Sequence, residues 1–88
     1  QKYLKAIEDC SLAIADDPTD ADFYYLRGDS YVALGKFDEA LLDYSETIEM
    51  KPDCAEAYRD RSKVYQKLGQ VESAAADREK YKELSAAE

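Results

Sequence analysis

The chain has 88 residues, a formal net charge of −8 and no histidine. That length allows one small domain, burying only about 60–65% of the surface its unfolded chain exposes. The acidic balance argues against nucleic acid as a partner, because phosphates are repelled at ordinary salt. The missing imidazole removes the commonest metal ligand and the usual general base.

Three glycines and two prolines leave little punctuation for strands, while helix formers fill the chain and eight tyrosines carry most of the aromatic content. Composition alone therefore points to an all-α protein. Cys10 and Cys54 are too few and too far apart for a zinc site, and the expectation is a pair of reduced thiols in a cytoplasmic protein. No apolar run approaches the roughly 20 residues of a membrane span. No secretory signal is visible, and a start at Gln1 rather than Met suggests an excerpt of a longer polypeptide. No cofactor or metal is expected.

A repeat runs through the whole chain. Pro18 and Pro52 are 34 residues apart, as are Tyr24 and Tyr58, Tyr31 and Tyr65, Leu34 and Leu68, and Gly35 and Gly69. Ala6, Ala40 and Ala74 form a triple at that spacing, as do Asp9, Asp43 and Asp77, and Tyr3, Phe37 and Val71. The chain divides into a trailing half repeat (1–20), a full repeat (21–54) and a final repeat (55–88).

In chain order, the first element is an amphipathic helix carrying Leu4, Ala6, Ile7, Cys10, Ala13 and Ile14. A leading helix follows, with Tyr24, Gly28, Tyr31 and Leu34 about one turn apart, ended by Gly35 in the left-handed position after the helix. The next, trailing helix carries Phe37, Ala40, Leu41, Tyr44 and Ile48 on one face. Pro52 stops it, since proline cannot donate to the helical ladder and pushes Lys51 toward extended backbone. Thr19 with Asp22, and Asp53 with Glu56, have the spacing of capping pairs at the helix starts that follow. The last repeat copies the pattern with Tyr58, Ser62, Tyr65 and Leu68, then Val71, Ala74, Ala75, Tyr81 and Leu84. On that last helix Arg78 and Lys82 replace the Cys10/Tyr44 and Ile14/Ile48 positions, which reads as a polar cap.

These residues resemble the tetratricopeptide repeat. The aromatic Tyr24, the pair Arg27–Gly28, then Tyr31, Ala40, Tyr44 and Pro52 fall at that family's fourth, seventh–eighth, eleventh, twentieth, twenty-fourth and thirty-second positions. The resemblance implies antiparallel helix pairs stacked as a right-handed superhelix, leading helices lining a concave groove and trailing helices forming the back. It also implies a binding module rather than a catalyst. The residues themselves offer no phosphate loop, nucleophile elbow or metal motif. The carboxylate pairs Asp16/Asp17 and Asp38/Glu39 lie at helix ends as solvated charges.

Arginine recurs at 27 and 61, aspartate at 9, 43 and 77. The expected role is structural: Asp9 pairs with Arg27 and Asp43 with Arg61, fixing the register between neighbouring repeats. The family's geometry places Asp22, Tyr25, Leu26, Asp29, Val32 and Ala33 on the concave side of the middle repeat. It places Glu56, Arg59, Asp60, Lys63, Gln66 and Lys67 there in the final one. Tyr25 is expected to be an exposed aromatic available to a peptide. The groove should be acidic toward the middle repeat and basic toward the last.

Members that clamp acidic chaperone tails use Asn in the second repeat and two basic residues in the third. Leu26, Glu56 and Asp60 stand at those places here, so a chaperone-tail clamp is not expected. The resulting expectation is a module that binds a protein or peptide segment in the groove. The alternatives are a self-associating scaffold segment and the targeting appendage of a larger enzyme. For self-association the expected contact is Leu4, Ile7, Ala13 and Ile14, which lack a covering helix and should drive a homodimer.

Overall fold

The computed structural model describes residues 1–87, and among them the chain forms five α-helices and no strand. They are α1 (Lys2–Asp16), α2 (Ala21–Ala33), α3 (Phe37–Met50), α4 (Ala55–Lys67) and α5 (Val71–Ala86). Each helix packs on the next, so that α2 and α4 are the leading helices and α1, α3 and α5 the trailing ones. None is long and apolar enough to cross a membrane.

The helix ends follow from single residues. Gly35 and Gly69 have φ of 73° and 77°, the left-handed region that other residues avoid. At the first, Gly35 N–H reaches Val32 O (2.9 Å) and Lys36 N–H reaches Tyr31 O (2.8 Å), which together close a Schellman motif. Gly69 and Gln70 repeat it onto Gln66 and Tyr65 at 3.1 and 2.9 Å. Asp17 and Lys51, each followed by proline, are the C-caps of α1 and α3 and have left the helix at φ −142° and −131°.

The capping pairs are placed differently from the sequence reading. Both helices start one residue later than the Thr19 and Asp53 spacing implies. Asp20 caps α2 by accepting from Asp22 N–H at 3.0 Å. Thr19 instead turns back, its N–H and hydroxyl both donating to Asp17 Oδ1 at 3.1 and 2.5 Å. Cys54 is the N-cap of α4 and makes no side-chain cap bond.

Tyr44 is 1% exposed and centres the core with Ala40 and Val64. Its ring lies across Gly28: a Cβ there would fall 2.9 Å from Tyr44 Cε1. Gly28 is therefore small because α2 and α3 touch at that point. Phe37, Leu41 and Leu68 close the cluster from its edges.

The arginines are held, but not by the expected aspartates. Arg27 Nε and Nη2 donate to the two oxygens of Asp43, both at 2.8 Å, while Nη1 donates to Ser11 Oγ at 3.0 Å. Arg61 repeats this on Asp77 at 2.7 and 2.8 Å and on Ser45 at 3.1 Å. Tyr24 and Tyr31 flank the first guanidinium at 5.8 and 5.9 Å, and Tyr58 and Tyr65 the second at 5.7 and 5.6 Å. The carboxylate comes from the same helix pair, and the bond to the preceding repeat is made by serine.

The reason is helical geometry. Residues two apart stand about 200° apart around a helix, so Asp43 and Ser45 face opposite neighbours. A trailing helix gives its aspartate to its own leading helix and its serine to the following one. Asp9 accordingly faces away from α2 and, among the described residues, pairs only with exposed Lys5, at 3.4 Å.

Two outcomes follow. Asp43→Ala leaves Arg27 without its carboxylate in a site where the side chains are 20% and 5% exposed, and breaking such a pair costs about 3–5 kcal/mol. A urea melt should show that loss for Asp43→Ala, while Asp9→Ala leaves the midpoint unchanged. Gly28→Ala should lower stability by about 1–3 kcal/mol through overpacking, although alanine is intrinsically the better helix former by about 1 kcal/mol. A higher melting temperature for Gly28→Ala would mean that Tyr44 can move aside.

Candidate functional site

The stripe of α2 that carries Tyr25, Asp29 and Val32 faces a stripe of α4 that carries Arg59, Asp60, Lys63 and Lys67. Between them lies an open pocket of about 500 Å³. Phe37, Tyr44 and Val64 form its apolar floor, with Ala33 at one side. Spacings of three, four and eight residues put these side chains on one face of each helix.

Tyr25 is not the exposed aromatic the sequence suggested. It is half-buried, its ring 5.7 Å from that of Tyr44 and tilted by 49°. Its hydroxyl crosses from α2 to α4 and donates to Asp60 Oδ2. Tyr44, rising from the floor, donates to Asp29 Oδ1 at 2.5 Å. Arg59 Nε adds a second donor to Asp60, at 3.1 Å, and its guanidinium lies 5.9 Å from the Tyr81 ring. Both pocket carboxylates are thus held by phenols. The tyrosine signal was visible in the sequence, but the cross-helix pairing needs the three-dimensional stack.

Burial pushes both phenols far above the ordinary tyrosine value, and their bonds to Asp60 and Asp29 add to the shift, so they remain neutral donors. Burial also raises Asp29, with the nearby Asp60 charge adding to it, against the lowering pull of Tyr44's hydrogen bond and Arg59. Lys63 and Lys67 are exposed and make no ion pair among the described residues. The pocket therefore presents two carboxylates that are already engaged and two free ammonium groups.

Of the twelve groove residues expected, this pocket gathers Tyr25, Asp29, Val32, Ala33, Arg59, Asp60, Lys63 and Lys67. The others lie outside it. Asp22 is exposed and pairs with Lys51 at 3.2 Å. Leu26 is 51% exposed, and Glu56 is exposed at the start of α4. Gln66 points toward α5 and accepts from Arg78 Nη2 at 3.1 Å. Of the floor residues, Phe37 and Tyr44 were read only as core and Val64 was not singled out.

On α1, Leu4 is 56% exposed whereas Ile7, Ala13 and Ile14 are half-buried, and Leu12, at 65%, is the larger apolar exposure. Cys10 is buried and its thiol is pushed up by desolvation; Cys10 and Cys54 are both free.

Family profiles described as TPR repeat and tetratricopeptide repeat match residues 28–69 and 10–41. The chain belongs to the tetratricopeptide repeat family, as an all-α module for protein–protein interaction. It is 37% identical over 73 residues to RNA polymerase II-associated protein 3 of Mus musculus, covering 83% of this chain and 11% of that protein. The fold superposes on a crystal structure of MamA with a TM-score of 0.95 at 30% identity, covering 99% of this chain and 51% of MamA. It also superposes on the second TPR of Spaghetti (RPAP3) bound to the HSP90 peptide SRMEEVD, with a TM-score of 0.91 at 29% identity and coverage of 94% and 77%.

The raised Asp29 value fixes a sign. A carboxyl that binds its proton more tightly when folded adds stability below the unfolded value of about 3.9, and that stability is lost as pH rises through the folded value. Asp29→Asn should therefore gain on the wild type as pH rises from about 3 to 7, read as a widening gap in melting temperature. A constant gap would show that Tyr44 and Arg59 offset the burial.

Proposed function

We propose that the concave pocket between α2 and α4 receives an extended peptide segment with a bulky apolar side chain next to one or two carboxylates. The observation that carries this is the juxtaposition of an apolar floor with lysines 63 and 67, unpaired among the described residues and one helical turn apart on its rim. The floor takes the apolar anchor, and the lysines take the acid.

Asp29 and Asp60 do not cancel that basic edge, because Tyr44, Tyr25 and Arg59 already hold them. The similar RPAP3 repeat domain with an acidic peptide bound supports the ligand class. A clamp on a chain-terminal carboxylate is less suited to this groove. Leu26 and the exposed Glu56 stand where such clamps place an amide and a base.

Selection of peptides from a random display library against the chain tests this reading. Enriched sequences should carry an aromatic or aliphatic residue beside Asp or Glu. Lys63→Glu combined with Lys67→Glu should weaken their binding at least tenfold, about 1.4 kcal/mol. The peptide SRMEEVD should bind more weakly than the enriched ones. Micromolar binding of SRMEEVD, or indifference to the lysine changes, would overturn the reading.

A further inference from the structure

The row of cations on α4 is longer than the lysine pair. Arg59, Lys63 and Lys67 recur every four residues, so they stay within about 80° of one another around the helix and step along it by about 6 Å. All three line the pocket. Arg59 differs from the lysines in being held. Its Nε donates to Asp60 Oδ1 at 3.1 Å, its guanidinium lies 5.9 Å from the Tyr81 ring, and its side chain is 40% exposed. Neither Nη donates to a carboxylate among the described residues. A guanidinium carries its N–H donors in a fixed fork, so bonding Nε leaves the two outer nitrogens preset for an acceptor. Glu56, exposed one turn earlier, ends the row.

Resting on the reading of the pocket given above, we propose that this row measures the spacing of acids in the bound segment. Arg59 is the specificity-determining residue: it takes a further carboxylate, two residues along the ligand from the one on Lys63. The match is one of pitch. Extended backbone rises about 3.3 Å per residue and sends successive side chains to opposite sides, so those on one side recur every 6.6 Å, approximately. Three acids at alternate positions therefore span about 13 Å, against about 12 Å from Arg59 to Lys67. Of two adjacent acids, one faces α2, where the Asp29 carboxylate lines the pocket and repels it.

The intervening side chains face α2, and the repeat period orders them. Positions 25, 29 and 33 on α2 correspond to 59, 63 and 67 on α4. Val32, Ala33 and Phe37 thus lie toward the Lys67 end of the pocket, and Tyr25 and Asp29 toward the Arg59 end. From the Arg59 end, the segment reads acid, polar, acid, apolar, acid.

Acetylated and amidated peptides test the spacing, with the core Glu-Ser-Glu-Phe-Glu or its isomer Ser-Glu-Glu-Phe-Glu. Each is also made in reversed order, because the row does not set the chain's direction. All four share one composition and one phenylalanine between two glutamates. In calorimetric titrations, the alternating core in its better direction should bind about fivefold tighter than the isomer, the scale of one favourable ion pair. Arg59→Gln should bring that ratio to about one, whereas Lys63→Gln should weaken both cores and leave the ratio in place. The ratio is the measure, since Arg59→Gln also releases Asp60 and weakens both cores alike.

Equal binding of the two cores, or a preference that survives Arg59→Gln, overturns the spacing rule and leaves the pocket reading standing. No binding by any of the four peptides overturns both. Should Arg59→Gln fail to fold, Arg59→Lys keeps the charge without the fork and should cut the ratio by at least half. An unchanged ratio there overturns the assignment to the guanidinium.

Discussion

The placement of every helix depends on one contact made twice, an arginine of a leading helix caught between a carboxylate and a hydroxyl on two trailing helices. Burying a guanidinium beside a carboxylate carries a desolvation cost that the pair's attraction repays only with good geometry. Here Arg27 uses Nε, Nη1 and Nη2, both oxygens of Asp43 are filled, and tyrosine rings lie near the cation. Among the described residues no buried side-chain nitrogen or oxygen lacks a partner. A well-packed apolar pair could match the net stability. What the clasp adds is position, because two planar groups bonded at two points admit one rotation of α2 against α3. The serine then carries that setting to the helix before.

The groove inherits this precision. Tyr25 and Arg27 are two residues apart and so point to opposite sides of α2. Fixing Arg27 on one side aims Tyr25 at α4 on the other, where its hydroxyl meets Asp60. Tyr44 joins the two systems. Its ring fills the space that Gly28 leaves open, and its hydroxyl emerges in the groove to hold Asp29. The same residue is therefore core at one end and pocket wall at the other, which is how an amphipathic aromatic suits an interface between packed and open space.

How far the sequence could be read follows from that geometry. The helices and their ends at Gly35 and Pro52 were legible because each depends on local backbone limits or on the repeat period. The same period marked Arg27 and Asp43 with their counterparts, yet it could not say which aspartate an arginine meets. Asp9 and Asp43 are equivalent in pattern, and only the 200° turn between aspartate and serine decides between them. Ser11 and Ser45 were passed over because nothing in the pattern of a repeated serine says that it faces an arginine on the next helix. Tyr25 was misread as exposed for a related reason. Tyr24 satisfied the pattern's demand for an aromatic, and nothing local reveals that α4 offers a carboxylate across the groove.

The charge balance adds a constraint on any ligand of the proposed class. A chain of net charge −8 repels an acidic peptide at long range, but that field is screened beyond a Debye length of about 8 Å at physiological salt. Recognition of such a ligand would then rest on the pocket, where Lys63 and Lys67 are unpaired among the described residues and Asp29 and Asp60 are already bonded to phenols. Two exposed lysines alone supply little affinity, since each surface ion pair is worth about 0–1 kcal/mol. Filling the apolar floor with one large side chain contributes about 1.5–3 kcal/mol, more than either lysine. For a segment of the proposed class, the apolar anchor would therefore set how tightly it is held, and the lysines which way along the groove it runs.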